Sequence, residues 1–252
     1  MRADAITSRD AAAPLVSTHG LALAAAGRTL LVGLDWQARV GERWCVIGRN
    51  ATGKSTLLRV LAGLAVPERA GSVRWLGREQ ADWSPADAAV VRAFAPQQAS
   101  DRFPAAVQRL LELAVCAPGA PDPAQVLRAL DATQLAERDV MQLSGGERQR
   151  VALAQCAVQG APLMLLDEPV SFQDPGHQLQ VGRWLASLHG RCLVFSAHDV
   201  NWAAGVATHV LALHGDGRWE AGPVAQMLTA ERLQAVYGCK WQRAGGAWLA
   251  VG

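Results

Sequence analysis

Gly48-Arg49-Asn50-Ala51-Thr52-Gly53-Lys54-Ser55-Thr56 is the stretch on which the reading of this chain turns. It fits the pattern G-x-x-x-x-G-K-[ST], in the setting where that pattern has a mechanism. Upstream, Trp44-Cys45-Val46-Ile47 is an apolar run that reads as a short buried strand. Downstream, Leu57, Leu58 and Leu61 recur at helical spacing, and Gly63 is placed to end the helix. A strand, a loop of small residues and a helix start aim backbone N–H groups at one point, with the positive end of the helix dipole behind them. Lys54 adds a mobile charge for β- and γ-phosphates, and the Ser55 hydroxyl is a ligand for Mg²⁺. The stretch therefore implies a nucleoside triphosphate site. One residue departs from the usual pattern: Ala51 stands where many such loops carry another glycine. Alanine tolerates a left-handed backbone at a cost of about 1 kcal/mol.

Composition narrows the class. With 252 residues the chain can bury a sizeable core. Hydrophobic residues make up 50% and the mean hydropathy is +0.09, yet no run approaches the roughly 20 apolar residues of a membrane span. No apolar core followed by a small-residue cleavage site marks a secretory signal. A net charge of +2 is too small to argue for a nucleic-acid partner. The five cysteines (Cys45, Cys116, Cys156, Cys192, Cys239) are odd in number, spread out and without a C-x-x-C pair. They read as small buried hydrophobes in a reducing cytoplasm. The nine tryptophans are scattered and read as packing residues rather than as a platform for bases.

Residues 1–13 are Ala- and charge-rich without periodicity and read as a loose leader before a single domain over 14–252. From about Leu15 to Ile47 the chain looks strand-rich, with turn signals at Ala26-Gly27-Arg28 and Val40-Gly41-Glu42. Residues 105–160 read as mostly helical, interrupted by the Pro/Gly cluster Ala117-Pro118-Gly119-Ala120-Pro121-Asp122-Pro123. From 161 onward, apolar runs at Leu163–Leu166 and Cys192–Ser196 alternate with a helical pattern over Asp174–Leu188. That alternation predicts βα units and a mainly parallel sheet, hence an α/β fold. No internal repeat and no second phosphate loop is present.

Two further motifs carry chemistry. Leu163-Met164-Leu165-Leu166-Asp167-Glu168-Pro169 is an apolar strand that delivers two carboxylates at its carboxyl end, where ligands of open α/β sheets sit. Asp167 is placed to hold the Mg²⁺ shell, and Glu168 to orient or deprotonate an attacking water. Leu143-Ser144-Gly145-Gly146-Glu147-Arg148-Gln149-Arg150 places Ser144 and Glu147 in a capping-box arrangement before the apolar positions Val151, Leu153, Ala154, Ala157 and Val158. Gly145 and Gly146 weaken the helix they begin, which makes sense if a phosphate approaches the backbone there.

Leu143–Arg150 resembles the signature motif of the ABC-type ATPases, and the order phosphate loop, signature, Asp-Glu strand is that family's order. Gln97, after the run Val90–Pro96, resembles the glutamine-loop residue, preferred to Gln98 because a Pro-Gln pair is usual there. Ser171-Phe172-Gln173-Asp174 resembles the D-loop, with Gln173 in place of the common leucine, and His198 resembles the switch histidine. The resemblance spans roughly residues 15 to 240. It implies a P-loop NTPase core with an N-terminal antiparallel β portion and a helical subdomain over about 100–160. It also implies two ATP molecules sandwiched head-to-tail between two ATPase domains, this chain and a second copy or a similar subunit, with Ser144, Gly145, Gly146 and Asp174 of one facing the nucleotide of the other. Glu168, His198 and Gln97 would serve catalysis, and Ser55, Gln97 and Asp167 the Mg²⁺. Gln97 would couple the site to integral-membrane permease subunits, and through them to a substrate-binding protein, at the cytoplasmic face of the cell membrane. Family members usually stack an aromatic residue on adenine upstream of the phosphate loop, and Ala25 stands at that position here.

Translation and resistance factors of the family carry two such cores in one chain, and the chromosome ATPases insert a coiled coil before the signature. Neither feature is present between Lys54 and Leu143 or elsewhere, which favours the ATPase of an importer, with an exporter subunit or a non-transport ABC-type ATPase as the alternatives. Ala95-Pro96-Gln97 with Phe103-Pro104 and Val107 looks like the metal-chelate importers, the group of vitamin B12, haem and iron-siderophore systems. So does His198-Asp199-Val200-Asn201 with the tail Leu228–Gly238. The strand-like end from Lys240-Trp241-Gln242-Arg243 through Trp248-Leu249 looks closest to the vitamin B12 system.

Overall fold

The computed structural model describes residues 13–67, 70–99, 103–117 and 119–251. Apart from Ala13, the expected leader lies outside the described residues. The chain opens with an antiparallel hairpin, β1 (Val16–Ala25) and β2 (Arg28–Ala38), joined through Ala26 and Gly27, both at positive φ. With β4 (Ala70–Trp75) and β5 (Arg78–Glu79) it forms a four-stranded sheet in the order β2-β1-β4-β5. The second sheet runs β10-β9-β3-β8-β7-β6, built from β3 (Arg43–Ile47), β6 (Arg92–Ala95), β7 (Leu163–Leu166), β8 (Cys192–Ser196), β9 (His209–Leu213) and β10 (Trp219–Pro223). Its neighbours are parallel except for β10, which pairs antiparallel with β9. The expected α/β class with an antiparallel β portion is therefore present.

The parallel strands are apolar at consecutive positions because both their faces are covered. Trp44 and Val46, with Leu163, Leu165, Val194 and Leu211, pack towards the antiparallel sheet and the helix after the phosphate loop, α1 (Lys54–Leu61). Cys45 and Ile47, with Met164, Leu166, Leu193, Phe195 and Val210, pack into a second core with α5 (Gly145–Val158), α6 (Pro175–Ser187) and α7 (Val200–Val206). Between β4 and β6 lies α2 (Pro85–Val91), so Val90 and Val91 of the run Val90–Pro96 end a helix and Arg92–Ala95 form β6. Residues 105–160 contain α3 (Val107–Ala114), α4 (Pro123–Ala129) and α5, with only short 3₁₀ turns between Thr133 and Gln142. The C-terminal part holds α8 (Val224–Met227), α9 (Ala230–Tyr237) and a separate hairpin of β11 (Lys240–Ala244) and β12 (Ala247–Val251).

The cysteine expectation holds for three of five. Cys45, Cys156 and Cys192 are buried, and burial raises their thiol pKa values, that of Cys156 to about 12, so they stay protonated. Cys116 is exposed and Cys239 half-buried: both sit in the short connections after α3 and α9, where no sheet covers them. No helix among the described residues is long and apolar enough to cross a membrane.

Candidate functional site: the phosphate loop and the strand tips beside it

Strand β3 is flanked by β8 and β9, so the chain leaving it at Gly48 emerges in the middle of the parallel sheet. Gly48 has φ 154, and a Cβ there would stand 2.6 Å from the Leu213 carbonyl at the tip of β9, so no other residue fits. Ala51 takes the left-handed backbone its position demands, with φ 61. Thr52 turns inward and its hydroxyl donates to the Arg49 carbonyl (2.9 Å), closing the loop on itself. Gly53, at φ 100, precedes α1, and no side chain caps the amides of that helix. Lys54 is buried, and its ammonium donates to the carbonyls of Gly48 (2.9 Å) and Arg49 (3.1 Å). Burial lowers its pKa, while the carboxylates of Glu168 and Asp167 pull the other way. Ser55 and Thr56 are half-buried in the first turn, and Arg49, Asn50 and Ala51 are exposed on the rim.

The carboxylates arrive from the neighbouring strand tips. Leu166 of β7 pairs with Phe195 of β8, so the next residues, Asp167 and Ser196, end side by side. The Ser196 hydroxyl donates to Asp167 Oδ1 (2.7 Å) and accepts the Glu168 amide (2.9 Å). Glu168 carries φ 49, a left-handed backbone unusual for a residue with a side chain and of the kind that clusters at functional sites. Its carboxylate gathers three partners. Gln97 Nε2 donates to Oε2 (2.8 Å), the Ser171 hydroxyl donates to the same oxygen (2.9 Å), and His198 Nε2 is in close contact with Oε1. Gln97 comes from the end of β6, which pairs with β7, while Gln98 is exposed.

Five expected residues lie elsewhere. Ser144 caps α5 through a complete capping box with Glu147. Gly145 and Gly146 lie against Phe172, and a Cβ on Gly146 would stand 2.8 Å from the Phe172 carbonyl. Gly146 thus has a reason within its own chain to lack a side chain, besides any approach of phosphate. Asp174 caps α6, accepting from the His177 amide (3.0 Å) and pairing with His177 Nδ1 (2.6 Å). Ala25 ends β1 opposite Arg28, whose guanidinium donates to the Gly215 carbonyl (3.0 Å). Gly215 in turn packs on Thr52, so the hairpin is tied to the phosphate loop.

One residue and one contact of the cluster escaped the sequence reading: Ser196, and the bond of Ser171 to Glu168. A signal for Ser196 exists, since it closes an apolar run just as Asp167 closes the parallel run beside it.

The arrangement brings a cationic, amide-rich loop face to face with two carboxylates. The sequence profile of the ABC transporter family matches residues 31–171. This chain belongs to that family. Over 234 residues it is 39% identical to a hemin import ATP-binding protein of Streptomyces coelicolor, with 88% of this chain and 83% of that one covered. A cobalamin import ATP-binding protein of Halobacterium salinarum is 38% identical over 230 residues, covering 86% of this chain but 57% of the relative. A metal-chelate type ABC transporter in an inward-facing conformation superposes with a TM-score of 0.76 at 24% identity, over 95% of this chain and 98% of that one, and shows the shared fold. The expected likeness to the importer ATPase group is borne out by relatives named for hemin and for cobalamin. Their near-equal identities do not favour the vitamin B12 system over the haem one. Membership of the family implies nucleotide use and, in general, ATP hydrolysis.

Proposed function

We propose that this chain is the ATP-binding and ATP-hydrolysing subunit of an ABC importer whose cargo is a metal chelate such as vitamin B12, haem or an iron-siderophore. The observation that carries the reading is the convergence of Gln97, Ser171 and His198 on the Glu168 carboxylate, beside the Lys54 loop. The relatives named for hemin and cobalamin import support the cargo class. Residues 14–252 are taken as one ATPase domain with a helical lobe over about 100–160. It would act as a head-to-tail pair of copies beneath permease subunits at the cytoplasmic membrane face, receiving cargo handed on by a binding protein.

Phosphoryl transfer needs positioning and charge neutralisation more than covalent help. Lys54 would leave the Gly48 and Arg49 carbonyls for the β- and γ-phosphates, which satisfy a buried ammonium better than neutral carbonyls do. The unpaired first amides of α1 would take the same phosphates. The donor set suits Mg²⁺: the Ser55 hydroxyl, the Asp167 carboxylate and the Gln97 amide oxygen are hard oxygen ligands, and Gln97 bonds Glu168 through its nitrogen, leaving that oxygen available. Bound there, the ion would neutralise charge on the phosphate oxygens. Glu168 would orient the attacking water and accept its proton, while His198 would hold the γ-phosphate side of the site. Ser196 keeps Asp167 and the Glu168 backbone in place for both tasks. Ser144, Gly145, Gly146 and Asp174 would face the nucleotide of the second copy.

Glu168→Gln tests the reading in purified protein. The amide keeps the shape but accepts no proton, so ATP turnover is expected to fall by roughly 10²–10⁴-fold, the usual worth of a general base, while ATP binding persists. Turnover within a few-fold of the unaltered protein overturns the role of Glu168. Cargo and direction are read by reconstituting the chain with its permease and following haem and cobalamin across the vesicle wall.

A further inference from the structure

The C-terminal hairpin is an edge element: β11 is mostly exposed and β12 mostly half-buried, with Trp241 and Trp248 packed against the second core. Together with the turn before it, it also reaches the two segments that frame the candidate site. On one side, Asn201 near the start of α7, three residues after His198, forms a double hydrogen bond with the backbone of Trp248 in β12. Its Nδ2 donates to the Trp248 carbonyl (3.0 Å), and its Oδ1 accepts the Trp248 amide (2.7 Å). On the other side, the Arg49 side chain of the phosphate loop reaches the turn that leads into the hairpin. Gly238 has φ 78, and the Arg49 guanidinium lies 3.8 Å from where a Cβ on Gly238 would stand.

Tyr237, the chain's single tyrosine, sits between these two contacts. Its ring packs on Trp241 of β11 (centroids 5.4 Å apart), and its hydroxyl is buried. The phenol, beside the Cys45 thiol, is held protonated first by burial and also by the Asp199 carboxylate, with a hydrogen bond from the Gly48 amide acting the opposite way. Those neighbours locate the hydroxyl at the junction of β3, the phosphate loop and the cap of α7. A buried hydroxyl calls for a polar partner, and the Gly48 amide is the group beside it; a phenylalanine would fill the same space without that contact.

We infer that the α9–β11–β12 unit is a strap that keeps the His198 segment in register with the phosphate loop, with Asn201 and Tyr237 as its two positioning residues. Neither touches the nucleotide. Asn201 acts on the placement of His198 through the first turn of α7, and Tyr237 acts on Gly48 and so on the loop that cradles the phosphates. Helix α7 is anchored on its far side by Trp202, whose indole donates to the Gln178 carbonyl (2.9 Å) of α6. Asn201 therefore fixes the side of the helix that α6 does not hold.

The inference rests on the ATPase reading above and predicts a division of labour that a purely structural role would not produce. Full-length protein is compared as unaltered chain, Asn201→Ala, Tyr237→Phe and the exposed hairpin control Gln242→Ala, with melting temperature, ATP affinity, kcat and KM measured on each. Asn201→Ala is expected to lower kcat about threefold to tenfold, with ATP affinity unchanged. Tyr237→Phe is expected to weaken ATP binding about threefold without lowering the melting temperature, and Gln242→Ala to match the unaltered chain. Asn201→Asp, which keeps the acceptor for the Trp248 amide but loses the donor, should fall between asparagine and alanine. Unchanged kinetics in both variants, or losses that merely follow the melting temperature, overturn the strap. An unaltered chain with no ATP turnover instead overturns the ATPase reading, and the strap's role with it.

Discussion

Helix α1 begins at Lys54 behind a left-handed Gly53 with no side chain on its amides, whereas α5 begins at Gly145 behind Ser144, whose hydroxyl closes a capping box with Glu147. The same kind of element is thus started in opposite ways. A capping box supplies about 1 kcal/mol and makes a helix start independent of any ligand. The first turn of α1 forgoes that stabilisation, and its buried Lys54 turns back onto two carbonyls of its own loop. One start is unfinished without an anion and the other is complete without one. The contrast separates a site proposed to bind nucleotide within the chain from a surface proposed to meet the nucleotide of a second copy.

Each prediction presses on that contrast. Ser144→Arg would put a bulky cation on the finished start. In a Glu168→Gln background, ATP-driven pairing of copies should be lost entirely while each copy still binds ATP. Nucleotide titration with light scattering reads both halves, and pairing that survives the arginine breaks the head-to-tail arrangement. Lys54→Ala acts on the unfinished start. Losing charge-assisted hydrogen bonds of about 1.5–3 kcal/mol should weaken ATP binding by roughly 10–100-fold, and unchanged affinity in a fluorescent-nucleotide titration would remove the phosphate loop from the site. The smallest effect concerns the hairpin tied to that loop through Arg28 and Gly215. If Ala25 faces adenine, Ala25→Tyr should tighten ATP binding by about 1 kcal/mol, the worth of an aromatic stack. It should also improve discrimination against triphosphates lacking a large base, and no change in competition assays means that adenine is held elsewhere.

The parts of the site that were legible in the sequence are those in which chemistry and local structure share one short segment. The phosphate loop, the Asp167-Glu168 strand end and the Ser144–Glu147 cap each announce themselves within ten residues, and the strands β3, β7 and β8 follow from apolar runs. Illegible parts depend on which segments the fold makes adjacent. Ser196 matters because β7 and β8 pair in a register that sets it beside Asp167, and Asn201 because β12 returns to α7 from the far end of the chain. The left-handed backbone of Glu168 has no compositional signal, since the surrounding bonds impose it. The two exposed or half-exposed cysteines were misjudged for a related reason: a thiol's residue type favours the interior, but a connection outside the sheets has no interior to offer.

The carbonyl of Phe172 rests where a side chain on Gly146 would be, with no room for an intervening atom. Phe172 is itself exposed and left-handed (φ 64), and it lies between Ser171, bonded to Glu168, and Asp174, which starts α6. Helix α5 and the segment after Glu168 therefore mesh like teeth: neither can turn appreciably without driving the other. A displacement imposed on the outer end of α5 would arrive at the Glu168 carboxylate as a change in the reach of Ser171. The absence of one methyl group is what allows this transmission, so Gly146→Ala would separate the two parts while leaving the phosphate loop intact.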